Sequence, residues 1–172
     1  VIGIDVGATE SGAFWRQFLR GLVARGLHGV ELVVSDSHEG LKAAIGQILG
    51  CPWQRCTVHF LREMLGHVRR GQQGMIAAAL RQVFQAASGE EARRVCREVI
   101  LRLEEAAPKV AALLAEAEDD LLAFYAMPVE HWSKLRSTNP LERVNREIGR
   151  RSDVVGIFPN DAALLRLAAG VL

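Results

Sequence analysis

Four groups of residues in this chain have types and spacings that could do chemistry. Asp36 closes the run Leu32, Val33, Val34, Ser35 and Asp36. The apolar, β-branched residues read as a buried strand, and Leu41, Ala44, Ile45 and Ile48 follow at helical spacing. A carboxylate at the carboxyl end of such a strand sits where open α/β sheets place their ligands. The same residue suits a helix cap, with Asp36 or Ser37 at the cap and Glu39 completing a capping box. Glu142 carries the same double reading. Asn139 suits an N-cap and Pro140 the first helical position, and Glu142 falls three after the cap.

The third group is Cys56 and His59, a C-x-x-H. It is half a zinc site, and no second pair stands at a suitable distance, because Cys96 and His131 are unpatterned. A buried cysteine with a hydrogen-bonded histidine at a strand end is the favoured reading over a metal site. The fourth group is basic. From Lys134 to Arg151 there are six Lys and Arg (Lys134, Arg136, Arg143, Arg146, Arg150, Arg151) against two Glu. That local surplus suits a phosphate backbone. It also suits a solvated helix face with Glu142–Arg146 and Arg143–Glu147 pairs.

The chain that must position these groups has 172 residues, enough for one domain or one domain with an insertion. Apolar residues make up 49% and charged residues 24%, ordinary values for a packed globule. The net charge of +1 selects no partner, so the local basic cluster carries the electrostatic argument. Three cysteines make no disulfide framework and fit a reducing, cytoplasmic setting. No apolar run approaches the length of a membrane span. The chain opens at Val1 in a strand-like run and stops at Leu172 inside an apolar helical pattern, so both ends read as cut from something longer.

Along the chain, residues 1–7 (VIGIDVG) read as a strand, and the amphipathic pattern of 10–25 predicts a helix ended by Gly26. A second strand is expected over 30–35, a helix over 39–49 and a short third strand over 54–58. This β-α-β-α-β order implies parallel pairing. From Phe60 to about Tyr125 the pattern is helical throughout, with candidates at 60–68, 75–87, 90–105 and 108–124. Asp5 reads as a strand-end or turn residue, and His38 as an exposed neighbour of Asp36. In the basic helix Leu141, Val144 and Ile148 form the stripe expected to be buried. Asn160 caps a last helix, 162–172.

These groups stand in a recognisable order. Asp36 and Cys56-x-x-His59 precede a helical block. After it come Glu130, His131 and Trp132, then the stretch S-T-N-P-L-E-R (137–143), then D-V-V-G-I-F-P-N (153–160). Over essentially its whole length the chain resembles the transposases of the Mutator superfamily in their bacterial insertion-sequence form. The resemblance implies an α/β, ribonuclease H-like catalytic core, incomplete at its N-terminus and interrupted by an all-helical insertion. Residues 1–59 and 134–172 would form the core, and 60–133 the insertion. It implies a D-D-E triad in which Asp36 matches the second Asp and Glu142 the Glu, both catalytic and both metal ligands. The first Asp is expected on a strand upstream of Val1, and Asp5 is not promoted in its place. Cys56 and His59 match the family's C-x-x-H, read as structural.

The chemistry implied is Mg²⁺- or Mn²⁺-dependent cleavage of transposon ends and strand transfer into target DNA. Two ions roughly 4 Å apart serve such in-line displacements. The implied partners are double-stranded DNA and, in the complete protein, further copies of the chain, with no membrane. The implied location is the bacterial cytoplasm, at the nucleoid when bound. Lys134, Arg136, Arg143, Arg146, Arg150 and Arg151 would contact DNA. With one of three carboxylates missing, this stretch alone is expected to be inactive. Two rivals remain: another ribonuclease H-like nuclease or resolvase, and a catalytically inactive transposase-derived DNA-binding or interaction module.

Overall fold

The computed structural model describes residues 1–7 and 9–171. In chain order the elements are α1 (Gly12–Ala24), β1 (Val33–Ser35), α2 (Glu39–Ile48), β2 (Trp53–Arg55) and α3 (Thr57–Gly66). Then come α4 (Arg70–Phe84), α5 (Gly89–Ala106), α6 (Pro108–Leu122), α7 (Trp132–Leu135), α8 (Asn139–Val155) and α9 (Asp161–Val171). Two 3₁₀ turns, Ala123–Ala126 and Val129–His131, join α6 to α7. The architecture is thus mixed α/β, mostly helical, with a two-stranded parallel sheet. Among the described residues, no helix is long and apolar enough to cross a membrane.

The chain divides into two compact units. One, comprising Leu32–Ser37 and Pro52–Ser137, carries β1, β2 and α3 to α7. Its core is helical. Buried positions on α5 recur at Ala92, Cys96, Val99 and Leu103, and on α6 at Val110, Leu114, Ala117 and Leu121, the spacing of one helix face. Phe60 and Met64 of α3 and Ile76, Leu80 and Val83 of α4 complete it, all fully buried. Each large side chain so buried contributes roughly 1.5–3 kcal/mol.

Gln54 ties the sheet to this core. It is fully buried, yet every polar atom of its amide is used. Its Nε2 donates to the carbonyls of Leu121 (2.9 Å) and Arg55 (2.7 Å), and its Oε1 accepts the amide of Phe124 at 2.8 Å. The strand side chain thereby satisfies backbone groups where α6 ends, groups no helix partner can reach. Thr57 does similar work at the start of α3: its amide and hydroxyl both donate to the Arg136 carbonyl, at 2.9 and 2.8 Å.

The other unit, residues 1–31, 38–51 and 138–172, carries α1, α2, α8 and α9. Leu19 and Leu22 of α1 and Ala44 and Ile45 of α2 are its buried residues on those helices. The two helices meet at glycines. A Cβ added at Gly40 would lie 2.9 Å from the Gly12 backbone, so Gly40 permits a contact no other residue allows. Asn160 caps α9 as expected, its Oδ1 accepting the Ala163 amide at 2.9 Å.

Three expectations are corrected. Residues 1–6 form no strand: Val1 and Ile2 are 78% and 64% exposed, and the run lies along α1, where a Cβ at Gly3 would meet Leu22 at 2.6 Å. Alternating apolar residues make a strand only when a partner ladder is present, and β1 pairs with β2. The third strand stops at Arg55, because Thr57 already opens α3. In α8, Leu141 is 53% exposed rather than buried.

Two predictions follow from this packing. Gln54→Leu leaves the buried Phe124 amide and Leu121 carbonyl without their partner, and should lower stability by about 2–4 kcal/mol in urea unfolding. Burial pushes the Cys96 thiol up to about 12 from 9.0. The unfolded thiol ionises first, so this contribution is intact below pH 9.0 and is lost as pH rises towards about 12. Unfolding measured across that range should show an alkaline loss of stability that Cys96→Ala reduces.

Candidate functional site

Parallel pairing builds the site. In β1 and β2, Val33 stands opposite Trp53 and Ser35 opposite Arg55, so both strands end at the same level. The next residue on each is Asp36 and Cys56, and the Cys56 amide donates to the Ser35 carbonyl at 2.8 Å. Cys56 is the N-cap of α3, which carries His59 back over the strand ends in its first turn. His59 Nδ1 lies 2.8 Å from Asp36 Oδ1 and 3.2 Å from Cys56 Sγ. Among the described residues, these three side chains form a group whose ligand atoms all lie within 4.8 Å of one another.

Burial grades across the group. Cys56 is fully buried, the His59 side chain is 25% exposed and that of Asp36 56% exposed. The carboxylate faces an open depression of about 330 Å³ lined by Ser37, Arg55, Phe60, Arg62 and Glu63 as well. Arg55 pairs with Glu63 at 2.7 Å and lies over the Phe60 ring, 4.9 Å from its centroid. The Asp36 backbone is also held: the Ser35 hydroxyl accepts from Trp53 Nε1 at 2.7 Å and donates to the Asp36 carbonyl at 2.9 Å.

The helix-cap reading of Asp36 does not hold. His38 is the N-cap of α2, its Nδ1 accepting the Leu41 amide at 3.1 Å. His38 is therefore a half-buried cap rather than an exposed neighbour of the carboxylate. Asp5 makes a local bond to the Val6 amide at 2.8 Å.

Glu142 lies in the first turn of α8, its amide donating to the Thr138 carbonyl at 2.9 Å, and the cap position falls on Thr138 instead of Asn139. A carboxylate there is favoured by the helix dipole. Arg143, Arg146, Arg150 and Arg151 are exposed on the same helix. Arg150 and Arg151 both pair with Glu147, at 2.8 and 3.1 Å, and hold its carboxyl below the usual carboxylate range, Arg150 most strongly. Lys134 is exposed on α7. Arg136 is half-buried, with Nη1 donating to the Phe84 carbonyl at 3.2 Å, where α4 ends.

The structure thus brings Asp36 to the C-x-x-H, two groups that stand apart in the sequence. The signal was present. If the strands before Asp36 and Cys56 are parallel neighbours, their first residues beyond the sheet must be adjacent, and His59 returns one turn later.

Comparison with known proteins agrees with this order of motifs. The family model described as "Transposase, Mutator family" matches residues 1–172. The transposase for insertion sequence element IS1081 of Mycobacterium tuberculosis is 42% identical over 173 residues, covering 100% of this chain and 42% of that protein. The transposase for IS406 of Burkholderia multivorans is 39% identical over 100% of this chain and 45% of its own length. The transposase for IS256 in transposon Tn4001 of Staphylococcus aureus is 33% identical, again over 100% and 45%. The chain spans less than half the length of these curated relatives. With the family's pattern matched from first residue to last, the chain belongs to the Mutator family of transposases.

Proposed function

We propose that this chain supplies catalytic residues of an insertion-sequence transposase that cuts transposon ends and joins them to target DNA. The observation that carries the reading is Asp36: its carboxylate stands at the carboxyl end of β1, more than half exposed, and His38 takes over the capping of α2. A strand-end carboxylate that does not cap the helix after it is placed for ligand chemistry. The names of the relatives, transposases for insertion sequence elements, supply the reaction class.

In this reading Asp36 and Glu142 are two carboxylates of a D-D-E triad on a ribonuclease H-like core. Residues 1–59 and 134–172 are assigned to that core and 60–133 to a helical insertion. Hard carboxylate oxygens suit Mg²⁺ or Mn²⁺, and the exposure of Asp36 lets a hydrated ion reach it. Two such ions, when bound, would activate the attacking oxygen and stabilise the leaving one. Hydrolysis of a phosphodiester frees a 3′-hydroxyl, and that hydroxyl then displaces a 3′-oxygen at a target phosphodiester. Asp36 needs a fixed rotamer for this work. His59 Nδ1–H supplies it, with Cys56 behind the imidazole, which gives the C-x-x-H a structural role. The full protein would act as an oligomer on double-stranded DNA.

Lys134, Arg136, Arg143, Arg146, Arg150 and Arg151 are proposed to hold phosphates and set register without reading sequence. Arg143, Arg146 and Arg150 recur at helical spacing along one side of α8. Arg136 shares its guanidinium with the end of α4, so Arg136→Ala should also cost stability.

Two experiments test this on the full-length protein. In a cleavage assay on DNA carrying the element's ends, Asp36→Asn and Glu142→Gln should each abolish cutting with DNA binding nearly intact. Cutting that survives Glu142→Gln would reduce Glu142 to a helix-end residue. In binding titrations across salt concentrations, Arg146→Ala should reduce the salt slope by about one. Glu147→Gln frees Arg150 and Arg151 for phosphate and should tighten binding about two- to fivefold at low salt, the scale of a surface ion pair.

A further inference from the structure

The imidazole of His59 is asked to serve two neighbours with one atom. Nδ1 lies 2.8 Å from Asp36 Oδ1 and 3.2 Å from Cys56 Sγ. A single Nδ1–H cannot point well at both, and the carboxylate can only accept. Three lone-pair donors of three chemical types therefore converge, with the imidazole Nδ1–H and the thiol S–H as the protons between them. Two of the three, a carboxylate and a thiol, become anionic ligands, and the thiol sits at the N-cap of α3, where the helix dipole favours negative charge.

We propose that Asp36, Cys56 and His59 form a binding site for a borderline-soft divalent cation of the Zn²⁺ type. Sulfur with imidazole and carboxylate is a donor set that selects such ions over Mg²⁺. Metal–ligand bonds of roughly 2.0–2.3 Å require the three donor atoms to stand about 3–4 Å apart, so the present spacing needs shifts of under about an ångström. The site has three protein ligands, and the open depression beside Asp36 leaves the fourth position to water. Binding requires the Nδ1 lone pair and the Sγ thiolate: the neutral imidazole gives up its Nδ1 proton and takes one on Nε2 from solvent, the thiol proton leaves to solvent, and one proton is released net. The sequence alone offered half a zinc site. Parallel pairing of β1 with β2 supplies the third ligand.

The site has a consequence for the reaction, and that part rests on the catalytic reading above. A cation held by Cys56 and His59 takes the Asp36 carboxylate away from Mg²⁺. Zinc then acts as an inhibitor competing for one catalytic ligand.

The binding test needs neither DNA nor Mg²⁺, so its outcome is separate from that of the cleavage assays. The chain, reduced and metal-free, is titrated with Co²⁺ as the spectroscopic probe. One equivalent should produce a thiolate-to-cobalt charge-transfer band and the visible bands of tetrahedral Co²⁺. Zn²⁺ should bleach both, and excess Mg²⁺ should leave them. Cys56→Ser should lose the charge-transfer band, while Cys51→Ser and Cys96→Ser should keep it. Because Cys56 is buried and its replacement can disturb folding, Asp36→Asn is the decisive variant: it is exposed and isosteric, and should lose stoichiometric binding. Unchanged binding by Asp36→Asn, a band that depends on Cys96, or no band at all would overturn the proposal.

Discussion

The pairing of Ser35 with Arg55 is the constraint on which the site depends. Parallel strands that end in register deliver their next residues side by side, and here those residues are Asp36 and Cys56. Three further bonds lock that level in place. The Cys56 amide closes on the Ser35 carbonyl, Trp53 holds the Ser35 hydroxyl, and that hydroxyl holds the Asp36 carbonyl. The three residues of β2 divide the labour: Trp53 supports Ser35, Gln54 enters the helical core, and Arg55 reaches Glu63 and Phe60. A two-stranded ribbon is marginal by itself. Burial of the Gln54 amide against the end of α6 is what makes this one part of a core.

That arrangement also explains why a helix follows Cys56 at once. α3 opens at Thr57, whose amide and hydroxyl both reach the Arg136 carbonyl, so the first turn is anchored where His59 emerges. Phe60, next in the chain, is fully buried and lies edge-on to Phe84. The histidine is therefore flanked by residues that cannot move without disturbing the core. A side chain on such a helix holds a carboxylate with little entropy left to lose, which a surface loop could not do.

Helices were the legible part of this sequence, because their signal is local. The patterns at 60–68, 75–87, 90–105 and 108–124 correspond to α3, α4, α5 and α6, with ends displaced by a few residues. Strands and caps were less legible because each depends on a partner the sequence does not name. VIGIDVG alternates like a strand but has no ladder and lies along α1 instead. Asp36 matched a capping box, yet the chain enters α2 two residues later and His38 provides the acceptor. Leu141 fits the apolar stripe of α8 but is exposed, since spacing defines a face and not what covers it. The candidate site was legible as residues and not as a cluster. Adjacency of Asp36 to the C-x-x-H needs the strand register, a property of two segments together.

The two proposed catalytic carboxylates are supported by different physics. Asp36 leaves a strand, where the backbone offers it no dipole, and its orientation comes from the His59 imidazole and the Ser35 hydroxyl. Glu142 stands in the first turn of a seventeen-residue helix, whose dipole favours its charge. The same helix also carries four arginines, two of them paired with one of its own acids. Glu147, half-buried, engages the exposed Arg150 and Arg151, so these surface pairs are weak and a phosphate can displace the carboxylate at little cost. Arg143 and Arg146 lie nearer the Glu142 end. In the proposed DNA-binding role, Arg150 and Arg151 would exchange the internal Glu147 carboxylate for an external phosphate.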